Sequence, residues 1–213
     1  TAAGILSKVI GPNPAAPDYL AGLSANKIRV ILQALLEYAM ALLLAGTPVW
    51  LYPVLKKHNE ALALGYVAAR LIEVVIFTVS VIGLFTLLTL SQKFVAAGAP
   101  DASYFHTMGS LLQAMREWGG GVCSTIVFSL SALMLNYVLF RSRLIPRLIS
   151  VWGLVGAVLY FASGFLPLFG IGTGSTIFGI MEAPLGVQEM GFALWLIIKG
   201  FNPSAIESGS AKS

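Results

Sequence analysis

Long apolar blocks constrain this chain more than any other feature of its sequence. Five blocks of more than 20 residues, at 28–53, 61–90, 107–140, 148–169 and 175–199, carry few charged side chains. A helix of about 20 apolar residues crosses the roughly 30 Å hydrocarbon core of a bilayer. Each block therefore predicts a membrane-spanning α-helix, and the fold class predicted is an all-α, polytopic transmembrane helical bundle.

A sixth apolar segment, residues 1–10, opens the chain without an initiator Met and stops at a Gly-Pro-Asn-Pro sequence at 11–14. Such a Pro/Gly cluster ends a helix, so the segment predicts a first membrane helix that is truncated. With it, we expect about six membrane helices in a single transmembrane domain over residues 1–201. The polar residues 202–213 are predicted to form a disordered cytoplasmic tail.

The composition excludes an ordinary soluble domain. Hydrophobic residues make up 57% of the chain and charged residues only 10%, whereas soluble domains carry about 25% charged residues. The net charge is +4, which in a soluble protein would suggest nucleic acid. Here the basic residues lie mostly in short loops between apolar blocks. We therefore expect no nucleic-acid partner and read them as signals of membrane topology.

Lysine and arginine are distributed unequally between the two predicted sides of the membrane, and the richer side of an inner membrane protein is usually cytoplasmic. This predicts a multi-pass membrane protein whose C-terminus is cytoplasmic. The predicted cytoplasmic side holds Lys56, Lys57, Arg141, Arg143, Arg147, Lys199 and Lys212, and the opposite side holds Lys8, Lys27, Arg29 and Lys93.

The block at 107–140 is longer than a membrane requires, since a helix rises 1.5 Å per residue. It must tilt, protrude or break. Three consecutive glycines, Gly119 to Gly121, are the predicted place for a break.

Seven ionisable side chains fall inside the predicted spans, at Glu37, Arg70, Glu73, Arg116, Glu117, Glu182 and Glu189. A charged side chain at the centre of a membrane helix costs about 2.5–3.5 kcal/mol on insertion scales. We therefore expect these side chains to face the interior of the bundle, where they are the candidate ligand-binding residues.

Helical spacing predicts which of these side chains share a face. Arg70 and Glu73 are three residues apart and can pair, Gln33 and Glu37 are four apart, and Glu182 and Glu189 are two turns apart. We expect these polar stripes to meet in one interior cluster. Five carboxylates face two guanidinium groups in it, so protons, a bound cation, a cationic ligand or a wet cavity must balance the excess. Two interpretations remain open, a structural one and a ligand or ion site.

No catalytic motif accompanies this cluster. The sequence has no Walker loop, no Gly-x-Ser-x-Gly, no His-Glu-x-x-His and no dinucleotide fingerprint. Its single cysteine, Cys123, cannot form an intrachain disulfide, and its two histidines, His58 and His106, lie at opposite faces of the predicted bundle. The sequence therefore indicates no catalytic residue, no metal site and no identifiable cofactor.

Three segments resemble a known family. Residues 51–73 (LYPVLKKHNEALALGYVAARLIE) resemble its second loop and third helix, residues 141–147 (RSRLIPR) followed by Trp152-Gly153 are similar to its fourth loop, and residues 189–202 (EMGFALWLIIKGFN) are similar to its closing helix. The family is the bacterial multi-pass domain-of-unknown-function family 4386. The resemblance implies an inner-membrane bundle of six or more helices with an interior Arg and Glu pattern, and it implies no activity. The curtailed first helix departs from the family pattern.

Three classes of function remain. The first is a non-catalytic accessory or assembly subunit of a larger membrane complex, favoured by the lack of a catalytic motif, the small loops and the helix faces with small residues. The second is binding or transport of a small molecule or cation through the interior Glu/Arg cluster. The third is an intramembrane enzyme, which would need two of those carboxylates to titrate separately. The expected partners are the lipid bilayer and either a larger membrane complex or further copies of this chain.

Overall fold

A computed structural model describes residues 19–98 and 102–210, and every regular element within them is helical. The predicted all-α class is confirmed. In chain order the elements are α1 (Tyr19–Ala25), α2 (Lys27–Leu55), α3 (Glu60–Ala96), α4 (Ala102–Arg116), a π-helix (Glu117–Cys123), α5 (Ser124–Ser142), α6 (Arg147–Ser163), a 3-10 turn (Leu166–Phe169), α7 (Thr176–Ile198) and α8 (Pro203–Ser210).

Within residues 19–98 and 102–210, four segments are long and apolar enough to cross a membrane, whereas about six were expected for the whole chain. They are Lys27–Leu55, Glu60–Ala96, Ser103–Ser142 and Arg147–Phe169. The predicted truncated helix at 1–10 lies outside the described residues. The last predicted span coincides with α7, which is not among the four because Glu182, Gln188 and Glu189 lower its mean hydropathy. The chain is thus an integral membrane protein, and its described residues contain four clear spanning segments.

The longest segment does not break at its three glycines. The π-helix Glu117–Cys123 connects α4 directly to α5. A π-helix keeps its backbone groups hydrogen-bonded within the helix, and a break at membrane depth would leave some of them unsatisfied. The glycines therefore mark a local change of helical geometry.

The contacts of the chain define two compact units, where the sequence suggested one domain. The described residues of the first unit lie within Thr1–Leu43 and Val75–Gly120, and those of the second lie within Leu44–Val74 and Gly121–Ser213. Each unit has its own apolar core. In the first unit Leu20, Val30 and Leu84 are among the buried residues, and in the second Tyr66 and Leu139 are.

Small residues allow the helices of the second unit to approach closely. Helix α6 packs against both α5 and α7. A Cβ atom added at Gly153 would lie 2.2 Å from Oδ1 of Asn136 on α5, and one at Gly156 would lie 2.9 Å from the backbone nitrogen of Leu185 on α7. Ala157 is fully buried. Gly153, Gly156 and Ala157 therefore serve packing between helices of this chain.

Part of the tail that we expected to be disordered is folded. Residues Pro203–Ser210 form α8, and Ala205 belongs to the core of the second unit. The backbone N–H of Asn202 donates a hydrogen bond to the carbonyl oxygen of Leu144 at 2.9 Å. This bond and the buried Ala205 attach a polar segment that composition alone predicts to be disordered.

Candidate functional site

The first interior polar group is built around Arg116, at the end of α4. Its Nη2 lies 3.2 Å from both carboxylate oxygens of Glu37 on α2, and its Nη1 donates to the backbone carbonyl of Ser80 on α3 at 2.7 Å. Gln33 donates to the same carboxylate at 2.9 Å. One guanidinium group therefore connects three helices of the first unit.

A glycine provides the space for this arginine. A Cβ atom added at Gly83 on α3 would lie 3.2 Å from Cγ of Arg116 and 2.9 Å from the end of Met115. The Glu37 side chain is 7% exposed and that of Arg116 is 18% exposed. The pair is balanced in charge, so this group has the character of a buried, structural ion pair.

The second group is built around Arg70 on α3, in the second unit. Its Nη1 donates to Glu73 at 3.0 Å and its Nη2 donates to Glu189 on α7 at 3.2 Å. The guanidinium carbon lies 4.4 Å from the ring centroid of Phe128 on α5 and 5.7 Å from that of Tyr66. These are cation–π distances, so Arg70 also connects three helices.

The Arg70 group differs from the Arg116 group in two respects. It has two carboxylates for one guanidinium, a formal excess of one negative charge. The Nε of Arg70 is buried and has no hydrogen-bond partner among the described residues. The side chains of Arg70 and Glu73 are 5% and 4% exposed, whereas that of Glu189 is 42% exposed. Glu189 is therefore the part of the group that reaches the surface of the second unit.

The structure brings five of the seven candidate residues into ion pairs. These pairs form two groups, one in each unit, where the sequence suggested a single cluster. Glu117 is the exposed first residue of the π-helix, and Glu182 is a half-buried residue of α7. The pairing predicted for Arg70 with Glu73 is confirmed. Gln33 and Glu37, which were predicted only to share a helix face, are hydrogen-bonded.

One buried polar contact was not anticipated from the sequence. Gln188 on α7 is 1% exposed, and its Nε2 donates to Oδ1 of Asn136 at 3.1 Å and to the carbonyl of Ile149 at 3.3 Å. It connects α7 to α5 and α6. The only sequence signal is an uncharged amide within an otherwise apolar block.

A row of exposed small residues on α7 was also not predicted from the sequence. Added Cβ atoms at Gly179, Gly186 and Gly191 would meet nothing within 4 Å. Gly179 and Gly186 are two turns apart, so they lie on the same side of the helix. With the exposed residues between and beyond them they form what we call the α7 stripe: Gly179, Ala183, Gly186, Met190 and Ala193.

The α7 stripe lies opposite the side of α7 that packs into the second unit. The buried residues of the helix are Phe178, Leu185, Gln188 and Phe192, which helical periodicity places on the other side. Exposed apolar side chains flank the stripe, including Ile180, 65% exposed, and Val187, 56% exposed. The stripe is therefore a shallow, apolar groove of small residues on the exposed side of α7.

Among residues 19–98 and 102–210, no group of three or more His, Cys, Asp or Glu side chains is arranged to hold a metal ion. The Arg70 group nevertheless offers one excess negative charge and one unused donor.

Comparison with known proteins gives a family and no activity. A family model described as "Domain of unknown function (DUF4386)" matches residues 1–200. No curated protein and no solved structure matches the chain.

Proposed function

The chain belongs to the domain-of-unknown-function family 4386, whose description assigns no activity, and we propose that it is a non-catalytic accessory or assembly subunit of a larger membrane complex. The observation that carries this proposal is the α7 stripe. Glycine in a helix interior costs about 1 kcal/mol relative to alanine. Among the described residues, nothing packs closely against the open glycines Gly179 and Gly186. Exposed small residues on membrane helices are typical of surfaces that receive another helix.

The other glycines of the second unit provide the contrast. At Gly153 and Gly156, the space beside the glycine is occupied by a neighbouring helix of the same chain. Gly179 and Gly186 are also small, but no described residue lies within 4 Å of a Cβ atom added at either position. If a helix of another protein packed there, these glycines would allow it to approach α7 closely, as Gly156 allows α6 to approach α7.

The partial exposure of Glu189 also indicates that this side of α7 is covered by a partner. Its carboxylate is bound to Arg70 at 3.2 Å while its side chain is 42% exposed, on the flank of α7 next to Gly186. A carboxylate left facing hydrocarbon is costly. A partner helix over the α7 stripe would cover this carboxylate and could donate a hydrogen bond to it.

A different protein fits this surface better than a second copy does. A two-fold symmetric contact brings the same patch of both copies together. It would place Glu189 near its own equivalent, and Glu182 lies on the same flank two turns earlier. Like charges repel strongly where little water is present. A partner carrying a basic or hydrogen-bonding side chain at this depth avoids that repulsion.

We further propose that α7 lies in the membrane and that the protein resides in the bacterial inner membrane with a cytoplasmic C-terminus. With α7 as a fifth described span, three basic segments fall on one side. They are Lys56-Lys57 after α2, the Arg141 to Arg147 segment after α5, and Lys199 after α7. This is the pattern that the positive-inside rule associates with the cytoplasm.

The proposal predicts that Gly186→Leu releases a partner protein. A leucine side chain would project from the α7 stripe and hold a second helix away, while its position is open in the isolated chain. Native mass spectrometry after gentle extraction should show a stoichiometric partner on the wild type and at least a tenfold smaller bound fraction for Gly186→Leu. Gly191→Leu, an equally open glycine on another side of α7, should keep the partner.

Other results would contradict the proposal. A wild-type chain that is monomeric from its own membrane has no partner to assemble with. Release by Gly186→Leu and Gly191→Leu alike would mean that the α7 stripe is not the surface involved. If the wild type forms a homo-oligomer and only Gly186→Leu dissociates it, the α7 stripe is the interface, but the partner is a second copy of this chain.

The Arg70 group supports a second candidate, binding of a cation or a small polar molecule. Its excess carboxylate and the buried, unpartnered Nε of Arg70 are the observations that favour it. The same spectra distinguish it from the first proposal. A lone chain that retains a small-molecule mass, and loses it in Glu73→Gln, would replace assembly by ligand binding.

A further inference from the structure

A small pocket opens beside the basic loop between α2 and α3. It encloses about 160 Å³ and is lined by His58, Asn59, Tyr137, Val138 and Arg141. At about 30 Å³ per water molecule this is room for about five waters, or for a compact group of five heavy atoms. All five lining residues belong to the second unit, and the interior ion pairs do not include any of them.

The lining of this pocket contains no carboxylate, and Arg141, Tyr137 and Asn59 each carry a group that can donate a hydrogen bond. Arg141 is exposed, and no acidic side chain within the described ranges pairs with it. Tyr137 precedes Arg141 by one helical turn of α5, so the two share a face. Oδ1 of Asn59 accepts the Leu62 N–H at 3.0 Å, which leaves its Nδ2 to donate. Such a set of groups suits an anion with several acceptor oxygens.

The charge around the pocket points the same way. Lys56 and Lys57 directly precede its loop residues, and Arg143 and Arg147 follow Arg141 within one short segment. The nearest carboxylate in sequence is that of Glu60, which is exposed and does not line the pocket. Basic residues at a membrane surface attract anionic lipid, so the local field favours an anion.

We propose that this pocket binds the phosphate group of an anionic phospholipid. The helices that lead away from it expose apolar side chains to which acyl chains can pack. Leu64 and Leu71 of α3, seven residues apart, are 57% and 47% exposed, and Leu130 of α5, seven residues before Tyr137, is 42% exposed. Tyr137 itself is 47% exposed, as expected of an aromatic side chain at the membrane–water boundary. Free phosphate offers the same oxygens without the acyl chains.

The test is a native mass spectrometry titration of the full chain in detergent with phosphatidylglycerol, phosphatidylcholine and inorganic phosphate as separate probes. We expect phosphatidylglycerol to bind more tightly than phosphatidylcholine. Arg141→Gln should weaken phosphatidylglycerol binding about tenfold, since a charge-assisted hydrogen bond to the phosphate is lost. Arg147→Gln is the matched control. Its guanidinium carbon lies 5.1 Å from the Phe140 ring centroid, outside the pocket lining. Arg147→Gln should therefore lose only the general attraction of one nearby positive charge, and its loss of binding should be clearly smaller than that of Arg141→Gln.

A second variant keeps the proposal testable if Arg141→Gln folds poorly. Tyr137→Phe preserves the ring and removes one donor, and it should weaken phosphatidylglycerol binding about fivefold. Equal losses of phosphatidylglycerol affinity in Arg141→Gln and Arg147→Gln would show that the lipid is attracted by the overall positive charge of the loop and is not bound in the pocket. Binding of inorganic phosphate with no preference for phosphatidylglycerol would overturn the lipid assignment. Failure of all three probes to bind would overturn the site itself.

Discussion

Replacing Arg70 with methionine is expected to lower the free energy of unfolding by about 3–5 kcal/mol, the usual cost of removing one partner from a buried ion pair. Glu73, whose side chain is 4% exposed, would lose the guanidinium 3.0 Å away. Glu189 would lose its only described ion-pair partner. Steric trapping in bicelles measures this free energy in a lipid environment.

The control removes the whole charged group. The triple variant Arg70→Met/Glu73→Met/Glu189→Met leaves no unpaired charge, and replacing a complete buried ion group by apolar residues of similar volume is often close to neutral in stability. It should therefore recover most of the loss. A single Arg70→Met variant within about 1 kcal/mol of the wild type would show that these carboxylates are not held by the arginine.

Gly156→Leu is expected to destabilise the second unit by about 3 kcal/mol, the upper part of the range for overpacked cores. A Cβ atom at Gly156 would lie 2.9 Å from the backbone nitrogen of Leu185 and 3.0 Å from its Cα. Backbone atoms cannot rotate aside as a side chain can, so α6 and α7 must separate. Thermal unfolding in detergent detects the change as a lower Tm.

Gly191→Leu is the matched control for this substitution. Its surroundings on α7 are open, and leucine favours a helix over glycine by up to about 1 kcal/mol. Its Tm should equal or slightly exceed that of the wild type. Equal losses in Gly156→Leu and Gly191→Leu would contradict the close approach of α6 to α7.

The parts of the fold that the sequence predicted are those that depend on local spacing. Apolar blocks predicted the helices because the bilayer fixes their length. The contacts of Arg70 with Glu73 and of Gln33 with Glu37 followed from helical periodicity, since residues three or four apart share a face. These relations involve one helix at a time.

The parts that could not be predicted depend on which helices are neighbours. Arg116 meets Glu37 across 79 positions and Arg70 meets Glu189 across 119. The polar stripes indicated inward faces, but periodicity does not pair one stripe with another, and the ion pairs form two groups. The same reason explains the glycines. Gly156 and Gly186 look alike in sequence. Only the packing of the helices places Leu185 against Gly156 and leaves the space beside Gly186 open.

The measurement that tests the central claim most directly is photo-crosslinking from α7 in native membranes. A photoreactive amino acid at Met190, which is 69% exposed in the α7 stripe, should yield one discrete adduct with a membrane protein. The same group at Gly191, one residue along and on another side of the helix, should yield only lipid adducts. Lipid adducts alone from both positions would contradict the account, because the α7 stripe would then face only the bilayer.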